Sequence, residues 1–320
     1  MYIDPPTGYL KNNKLKYWIE NELLLPSPIN QIILPISGKT ALIKRDDLIH
    51  PILSGNKFRK IIGFLYQYFE EGKSEIESGG SLHSNFVHAL AYTCFKLKIK
   101  CKFYLYGHPK DESFLIKDIS NWGISYEIVS RQNYREYTTL NYKDSPSILY
   151  IPEGGNAEQA EFGVEKLAEE IGEKYKFENL NIALPIGTGT MLKHLQQKMS
   201  MSTFYTVCPV KSQTLVLSES KNSISIKEPI HFAFGGYSKE MLEYIDQFYK
   251  INGIWLDPIY TGRLALALDH NFHLIDSKKE TIILHTGGLQ SWRFYLKRWP
   301  NAEYIINIEE LKKMIKLNFN

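Results

Sequence analysis

Leu180-Asn181-Ile182-Ala183-Leu184-Pro185-Ile186-Gly187-Thr188-Gly189-Thr190 is the stretch that decides how this chain folds. An apolar run of strand length ends in a glycine turn, and an amphipathic helical pattern, 190–198, begins where the turn stops. Glycines let a backbone approach an anion, a helix start offers unpaired N–H groups, and threonines add hydroxyl donors. The turn therefore reads either as a cup for one phosphate or as an ordinary strand-to-helix connection. The pattern recurs outward from there. Residues 101–106, 124–129, 204–208 and 281–285 read as strands, and 57–70, 84–98, 113–122, 157–171 and 239–252 as helices. This alternation predicts an α/β architecture with a mainly parallel sheet. Ligands of such sheets sit outside the carboxyl ends of strands, where glycine turns enter helices.

Three further turns fit that description: Ser54-Gly55-Asn56-Lys57, Ser78-Gly79-Gly80-Ser81 and His285-Thr286-Gly287-Gly288. A fifth glycine cluster, Ile151-Pro152-Glu153-Gly154-Gly155-Asn156, reads as a crossing between domains ahead of a helix near Ala157. The serine-rich stretch 212–228 reads as a surface excursion, and Lys312, Lys313 and Lys316 as a solvated helix face.

Composition narrows the function classes. With 320 residues, 43% hydrophobic and 23% charged, the chain is an ordinary globular protein of about two domains, which excludes disorder and collagen-like structure. A formal charge of +3 is too small a surplus to imply nucleic acid or an acidic membrane as partner. Three cysteines, Cys94, Cys101 and Cys208, have neither the number nor the spacing of a disulfide framework or a zinc site, and no metal is expected. The opening Met1-Tyr2-Ile3-Asp4-Pro5-Pro6 lacks a basic-then-apolar signal, and no apolar run nears roughly 18 residues, so a cytoplasmic location is expected.

One motif fails. Ser37-Gly38-Lys39-Thr40 resembles the end of a P-loop, but position 33, where a second glycine is needed, is Ile33, and Pro35 interrupts the loop. A tight turn between strands 31–36 and 40–44 is expected instead.

Lys57 stands in Gly55-Asn56-Lys57-Phe58-Arg59-Lys60, after the charged Lys44-Arg45-Asp46-Asp47. Most lysines are surface charges. Here the glycine turn sets the lysine at a helix start, and Ile61, Ile62, Phe64 and Leu65 follow it. A lysine desolvated near positive groups has a lowered pKa, which suits condensation with a carbonyl cofactor. Ser84-Asn85 open a helix through Val87, Ala89, Leu90 and Ala91; they are either a simple cap or a site for a substrate carboxylate. His83 and His88 read as packing or surface histidines.

These stretches resemble, in order, the motifs of fold type II pyridoxal-phosphate enzymes, in the branch holding D-cysteine desulfhydrase and 1-aminocyclopropane-1-carboxylate deaminase. The matches are Lys44 to Asp47 with Gly55 to Lys60, Gly80-Ser81-Leu82-His83-Ser84-Asn85, and Pro152 to Asn156. They continue with Gly187 to Thr190, Gly253-Ile254-Trp255-Leu256-Asp257-Pro258-Ile259-Tyr260-Thr261-Gly262-Arg263, and His285 to Gly288. The resemblance implies two three-layer α/β domains of the tryptophan synthase β-like type with a cofactor cleft between them. Residues 1–56 and 153–320 would form the larger domain and 57–152 the smaller insert. It implies pyridoxal 5'-phosphate as cofactor, a small amino acid as substrate, and a homodimer.

By the same resemblance, Lys57 binds the cofactor and moves the α-proton, and Lys60 is a second phosphate contact. Asn85 lies beside the phenolic oxygen, and Ser84 and Asn85 hold the substrate carboxylate. Gly187, Thr188, Gly189 and Thr190 hold the phosphate, Tyr260 faces the substrate, and Thr261 meets the pyridine nitrogen. Gly235-Gly236-Tyr237-Ser238 looks like the desulfhydrase version of its segment, with Tyr237 a substrate contact.

Thr261 separates the two activities. The cyclopropane deaminase has a carboxylate there, which keeps the pyridine nitrogen protonated. A neutral hydroxyl leaves the ring less electron-withdrawing and suits rapid β-elimination. D-cysteine desulfhydrase-like elimination to pyruvate, ammonia and sulfide is the resulting expectation, with cyclopropane deamination as the alternative. Phe86, where many relatives carry a polar residue, and Met191, after the phosphate loop, depart from the pattern. They motivate a reading of another class, a non-catalytic pyridoxal-phosphate-binding protein.

Overall fold

The computed structural model describes residues 13–53, 55–108, 113–140, 145–209, 222–230, 233 and 235–319. Ser54, read as part of a glycine turn, and 212–221 of the serine-rich stretch lie outside the described residues. Along the chain the elements run α1 (Asn13–Glu22), β1 (Ile29–Ile33), β2 (Thr40–Lys44), α2 (Asn56–Glu70), β3 (Glu75–Ser81), α3 (Asn85–Leu97) and β4 (Lys100–Tyr106). Next come α4 (Phe114–Asn121), β5 (Ser125–Val129), α5 (Arg131–Leu140), β6 (Ile148–Ile151), α6 (Glu161–Gly172), β7 (Leu180–Pro185) and α7 (Thr190–Lys198). The chain closes with β8 (Thr203–Val207), β9 (Ser223–Ser225), α8 (Lys239–Asn252), α9 (Thr261–His270), β10 (Glu280–Leu284), α10 (Ser291–Arg298) and α11 (Ile308–Phe319). They divide into two compact units, Met1–Leu25 with Lys57–Lys166, and Pro26–Asn56 with Leu167–Asn320. The segment 57–152 lies wholly within the first.

The first unit is built on four parallel strands in the order β5-β4-β3-β6. Ser78-Gly79-Gly80-Ser81, expected as a turn, is instead the carboxyl half of β3. Gly79 pairs with Tyr104 and Gly80 with Leu105. The glycines are there for space: a Cβ on Gly79 would fall 2.2 Å from the Tyr104 carbonyl oxygen and 2.6 Å from the Tyr134 ring. The connection to α3 is therefore only Leu82-His83-Ser84. Phe58, Ile61 and Leu65 of α2, Val87 and Leu90 of α3, and Phe103 and Leu105 of β4 are all fully buried. Each contributes about 1.5–3 kcal/mol of burial. Helix α1 joins this unit, with Trp18 edge-on to Phe58 at 6.4 Å and the Lys14 amine bonded to the Leu97 carbonyl. Cys94 and Cys101, seven positions apart in the sequence, are buried neighbours; their hydrogen bond and burial hold the Cys94 thiol well above its ordinary pKa.

The second unit holds six strands in the order β1-β2-β10-β7-β8-β9, all parallel except β1, which pairs antiparallel with β2. Strand β7 is buried along its whole length, as its continuous apolar run dictates. The segment Ser37–Thr40 is a turn: Gly38 takes φ +65° and Leu34 N–H bonds to the Lys39 carbonyl. The N–H groups of Ile36 and Ser37 are both donated to the Asp269 carboxylate at 2.9 Å, so this turn already holds its anion. Behind it, the charged run 44–47 folds inward. Lys44 pairs with Glu170, the Ser27 hydroxyl donates to Asp46 at 2.6 Å, and Arg45 forks onto both oxygens of Asp47 at 2.7 and 2.8 Å. Among the described residues no helix is long and apolar enough to cross a membrane.

Candidate active site

Lys57 is the second residue of α2 and is half-buried. The turn before it rests on Gly55, whose φ is +73° and whose N–H bonds to the Asp46 carbonyl at 2.7 Å. A side chain at 55 would also collide with the Thr286 backbone, 1.8 Å from its carbonyl oxygen. Beside this turn the Asn56 side-chain oxygen is buried with no hydrogen-bond partner among the described residues. One turn along α2, Lys60 is buried and gives its amine to the Gly154 carbonyl at 2.8 Å. Burial, and then the charge of Lys57, lower that amine from 10.5 to about 7.

Ser84 is the N-cap of α3, its hydroxyl oxygen accepting from Val87 N–H at 3.2 Å. The cap uses the oxygen and leaves the hydroxyl proton to donate. Asn85 opens the helix, half-buried. Phe86 points elsewhere: it is buried where a Cβ on Gly155 would meet its ring at 2.7 Å and the Lys60 Cβ at 3.3 Å. It thus packs beside the Lys60 stem and the glycines after β6. His88 is a packing histidine as expected, bonded to Asp118 at 2.8 Å with its ring 5.2 Å from Trp122.

In the second unit, Gly187 to Thr190 connect β7 to α7. Gly189 is the N-cap, at φ +82°, with no side chain to cap the first turn. The Thr188 and Thr190 hydroxyls lie 2.8 Å apart, so one donates to the other. A Cβ on Gly187 would meet open space. Met191, which follows, is buried.

Tyr260 and Thr261 begin α9 and are fixed by a residue the sequence reading gave no role. The fully buried Asp257 carboxylate accepts from the N–H groups of Ile259 at 3.0 Å, Tyr260 at 2.7 Å and Thr261 at 2.8 Å. Thr261 is buried with its hydroxyl 3.3 Å from that of Thr286. Burial, Asp257 and Cys208 raise the Tyr260 phenol, so it keeps its proton at neutral pH. Tyr237 packs with its ring 5.9 Å from that of Trp299, whose indole N–H bonds to the Gly235 carbonyl at 3.1 Å.

His285 is a second missed residue. Its Nδ1 accepts from Gly287 N–H at 3.2 Å, so Nε2 carries the proton that it gives to the Trp255 carbonyl at 2.8 Å. It thereby locks the turn that carries Thr286, with Gly287 and Gly288 both at positive φ. Only their places in the sequence, Asp257 just before Pro258 and His285 two residues before Gly287, hinted at these supports.

No family model matches the chain. A putative 1-aminocyclopropane-1-carboxylate deaminase of Thermotoga maritima is 25% identical over 301 residues, covering 83% of this chain and 95% of that protein. A bifunctional D-cysteine desulfhydrase/1-aminocyclopropane-1-carboxylate deaminase of Arabidopsis thaliana is 26% identical over 314 residues, covering 83% of this chain and 77% of its own. The solved structure of an ACC deaminase homologue superposes with a TM-score of 0.70 at 20% identity, over 89% of this chain and 99% of that one. The resemblance read from the motifs is thus borne out, as is the fold of two α/β domains.

Proposed function

We propose that this chain is a pyridoxal-phosphate-dependent lyase or deaminase of a small amino acid, and that its reaction is β-elimination of the D-cysteine desulfhydrase kind. The residues present fit the cofactor. The start of α7 is free of a side-chain cap and flanked by the Thr188 and Thr190 hydroxyls, a donor set suited to a phosphate. Lys60 supplies a second cationic contact, Asn85 an amide for the phenolic oxygen, and the Thr261 hydroxyl a neutral partner for the pyridine nitrogen. Lys57 carries the amine for the aldehyde. Bound there, pyridoxal phosphate supplies an electron sink for the charge left at the α-carbon.

The chain's own groups do the rest. Lys57 takes the α-proton. Ser84, with its hydroxyl oxygen already engaged by Val87 N–H, donates its proton to the substrate carboxylate at the start of α3, beside Asn85. Tyr260, kept as a phenol, faces the substrate as a proton donor. Tyr237 borders the same substrate. From D-cysteine the products are pyruvate, ammonia and sulfide. The neutral Thr261–Thr286 pair supports elimination over cyclopropane opening, because no carboxylate there holds the pyridine nitrogen protonated.

The observation that carries this reading is the uncapped, threonine-flanked turn Gly187 to Thr190 at the end of β7. Purified protein is expected to be yellow, and borohydride to fix a cofactor mass onto the peptide containing Lys57. Colourless protein indifferent to added pyridoxal phosphate overturns the proposal. A keto-acid assay on D-cysteine, β-chloro-D-alanine, D-serine and 1-aminocyclopropane-1-carboxylate then sorts the activities. Turnover of the cyclopropane compound alone overturns the argument from Thr261, and colour without any turnover leaves a binding protein.

A further inference from the structure

The connection from β3 to α3, Leu82-His83-Ser84, is tied from three sides. The Leu82 N–H bonds to the Tyr106 carbonyl at 2.9 Å, where β4 ends, and the Ser84 N–H to the Ser81 carbonyl at 2.9 Å. The third tie comes from α4. Ser113, its N-cap, accepts from the Ile116 N–H at 3.3 Å and gives its hydroxyl proton to the Leu82 carbonyl. The cap uses the oxygen of Ser113; the proton serves the connection.

One turn into α3, helix α4 takes hold again. The His88 N–H bonds to the Ser84 carbonyl at 3.1 Å, and its ring Nε2 meets the Asp118 carboxylate at 2.8 Å. Nδ1 of the same ring is buried with no hydrogen-bond partner among the described residues, so the polar hold on the ring is at Asp118. Trp122, at the far end of α4, packs 5.2 Å from it. Leu115 and Ile119 are buried, so the apolar face of α4 is fixed to the unit and the helix serves as a post. Its hydroxyl and carboxylate thus grip the chain just before and just after Ser84 and Asn85. Neither bond belongs to a helix or sheet ladder.

We propose that Ser113 and Asp118 are positioning residues for the substrate carboxylate. Through Leu82 and His88 they set the direction in which the Ser84 hydroxyl and the Asn85 amide face. Binding groups displaced by a fraction of an ångström bind less well. The inference rests on the reading above, in which Ser84 and Asn85 hold that carboxylate.

Steady-state kinetics on the panel amino acid that turns over fastest, together with amide deuterium exchange across 82–88, test it. Ser113→Ala and Asp118→Ala are each expected to raise KM about fivefold with kcat nearly unchanged. Both should speed exchange across 82–88 and keep the cofactor colour. Ser113→Thr and Asp118→Asn, which retain a hydroxyl and an acceptor oxygen, are expected to return KM close to the wild-type value. A merely structural role would act differently: it would lower melting temperature and the amount of active protein, so kcat would fall and KM would stay. Unchanged KM in the alanine variants overturns the proposal. So does wild-type exchange across 82–88, or a KM raised as much by the conservative variants as by alanine. A wild type that turns over none of the panel overturns the functional reading, and this inference with it. An active wild type beside alanine variants of unchanged KM overturns this inference alone.

Discussion

Gly55 and Thr286 touch backbone to backbone: a methyl group on the glycine would lie 1.8 Å from the threonine carbonyl oxygen. With φ at +73°, Gly55 also sits where an L side chain is strained by about 1–2 kcal/mol. Gly55→Ala therefore has to shift either the entry to α2 or the turn after β10. We expect a fall in melting temperature of about 4 °C or more and loss of retained cofactor colour, read by calorimetry and absorbance. A variant with wild-type melting and colour would show that the contact tolerates a methyl.

Lys60 should give stability a pH dependence of its own. Its folded-state amine, lowered to about 7, binds fewer protons than the unfolded chain's between pH 7 and 10.5. Stability from this group rises with pH across that window and is flat below it. Urea unfolding at pH 7, 8 and 9 is expected to show a rising midpoint that Lys60→Met flattens.

The opposite slope belongs to Asp46. Burial, with Glu170 and Asp47 nearby, pushes its carboxyl from 3.8 up to about 7 against the pull of Lys44 and the Ser27 hydroxyl. The folded state then holds a proton that the unfolded chain has released. This contribution is full below pH 3.8 and lost as pH rises toward 7. Asp46→Asn should remove the decline, measured by urea midpoints at pH 4.5, 5.5 and 6.5; an unchanged slope would refute the assignment.

Asp257 supports Tyr260 and Thr261 through three backbone N–H groups. Asp257→Ala leaves those donors unpaired in a buried turn, at a cost of about 3 kcal/mol or more. Melting should fall and kcat should drop with it. Thr261→Ser, which keeps the hydroxyl beside Thr286, should retain most activity, whereas Thr261→Val should not.

How far the sequence could be read depends on what each element is packed against. Strand β2 and helices α7 and α8 match the residues 40–44, 190–198 and 239–252 expected, because polar punctuation bounds each of them. Strand β3 was hidden by Gly79 and Gly80, which look like a turn unless the Tyr104 carbonyl and Tyr134 ring that require them are seen. Among the described side chains of helix α5 only Tyr134 is buried, too little for a periodic signal. Helix α9 fails for the opposite reason: Thr261 to Asp269 are all buried, so no polar face alternates with an apolar one. At the candidate site, Lys57 and the 187–190 turn announce themselves by glycine and position. Asp257 and His285 do not, since their partners are backbone groups that only folding brings near.

The pairing of β2 with β10, Leu42 opposite Ile282, has a consequence for synthesis on the ribosome. Every strand of the four-stranded sheet has been translated by Ile151, but β2 waits until Leu284 emerges for the neighbour that links it to β7. During that interval the hairpin of β1 and β2 presents a bare edge, the kind of surface on which nascent chains aggregate.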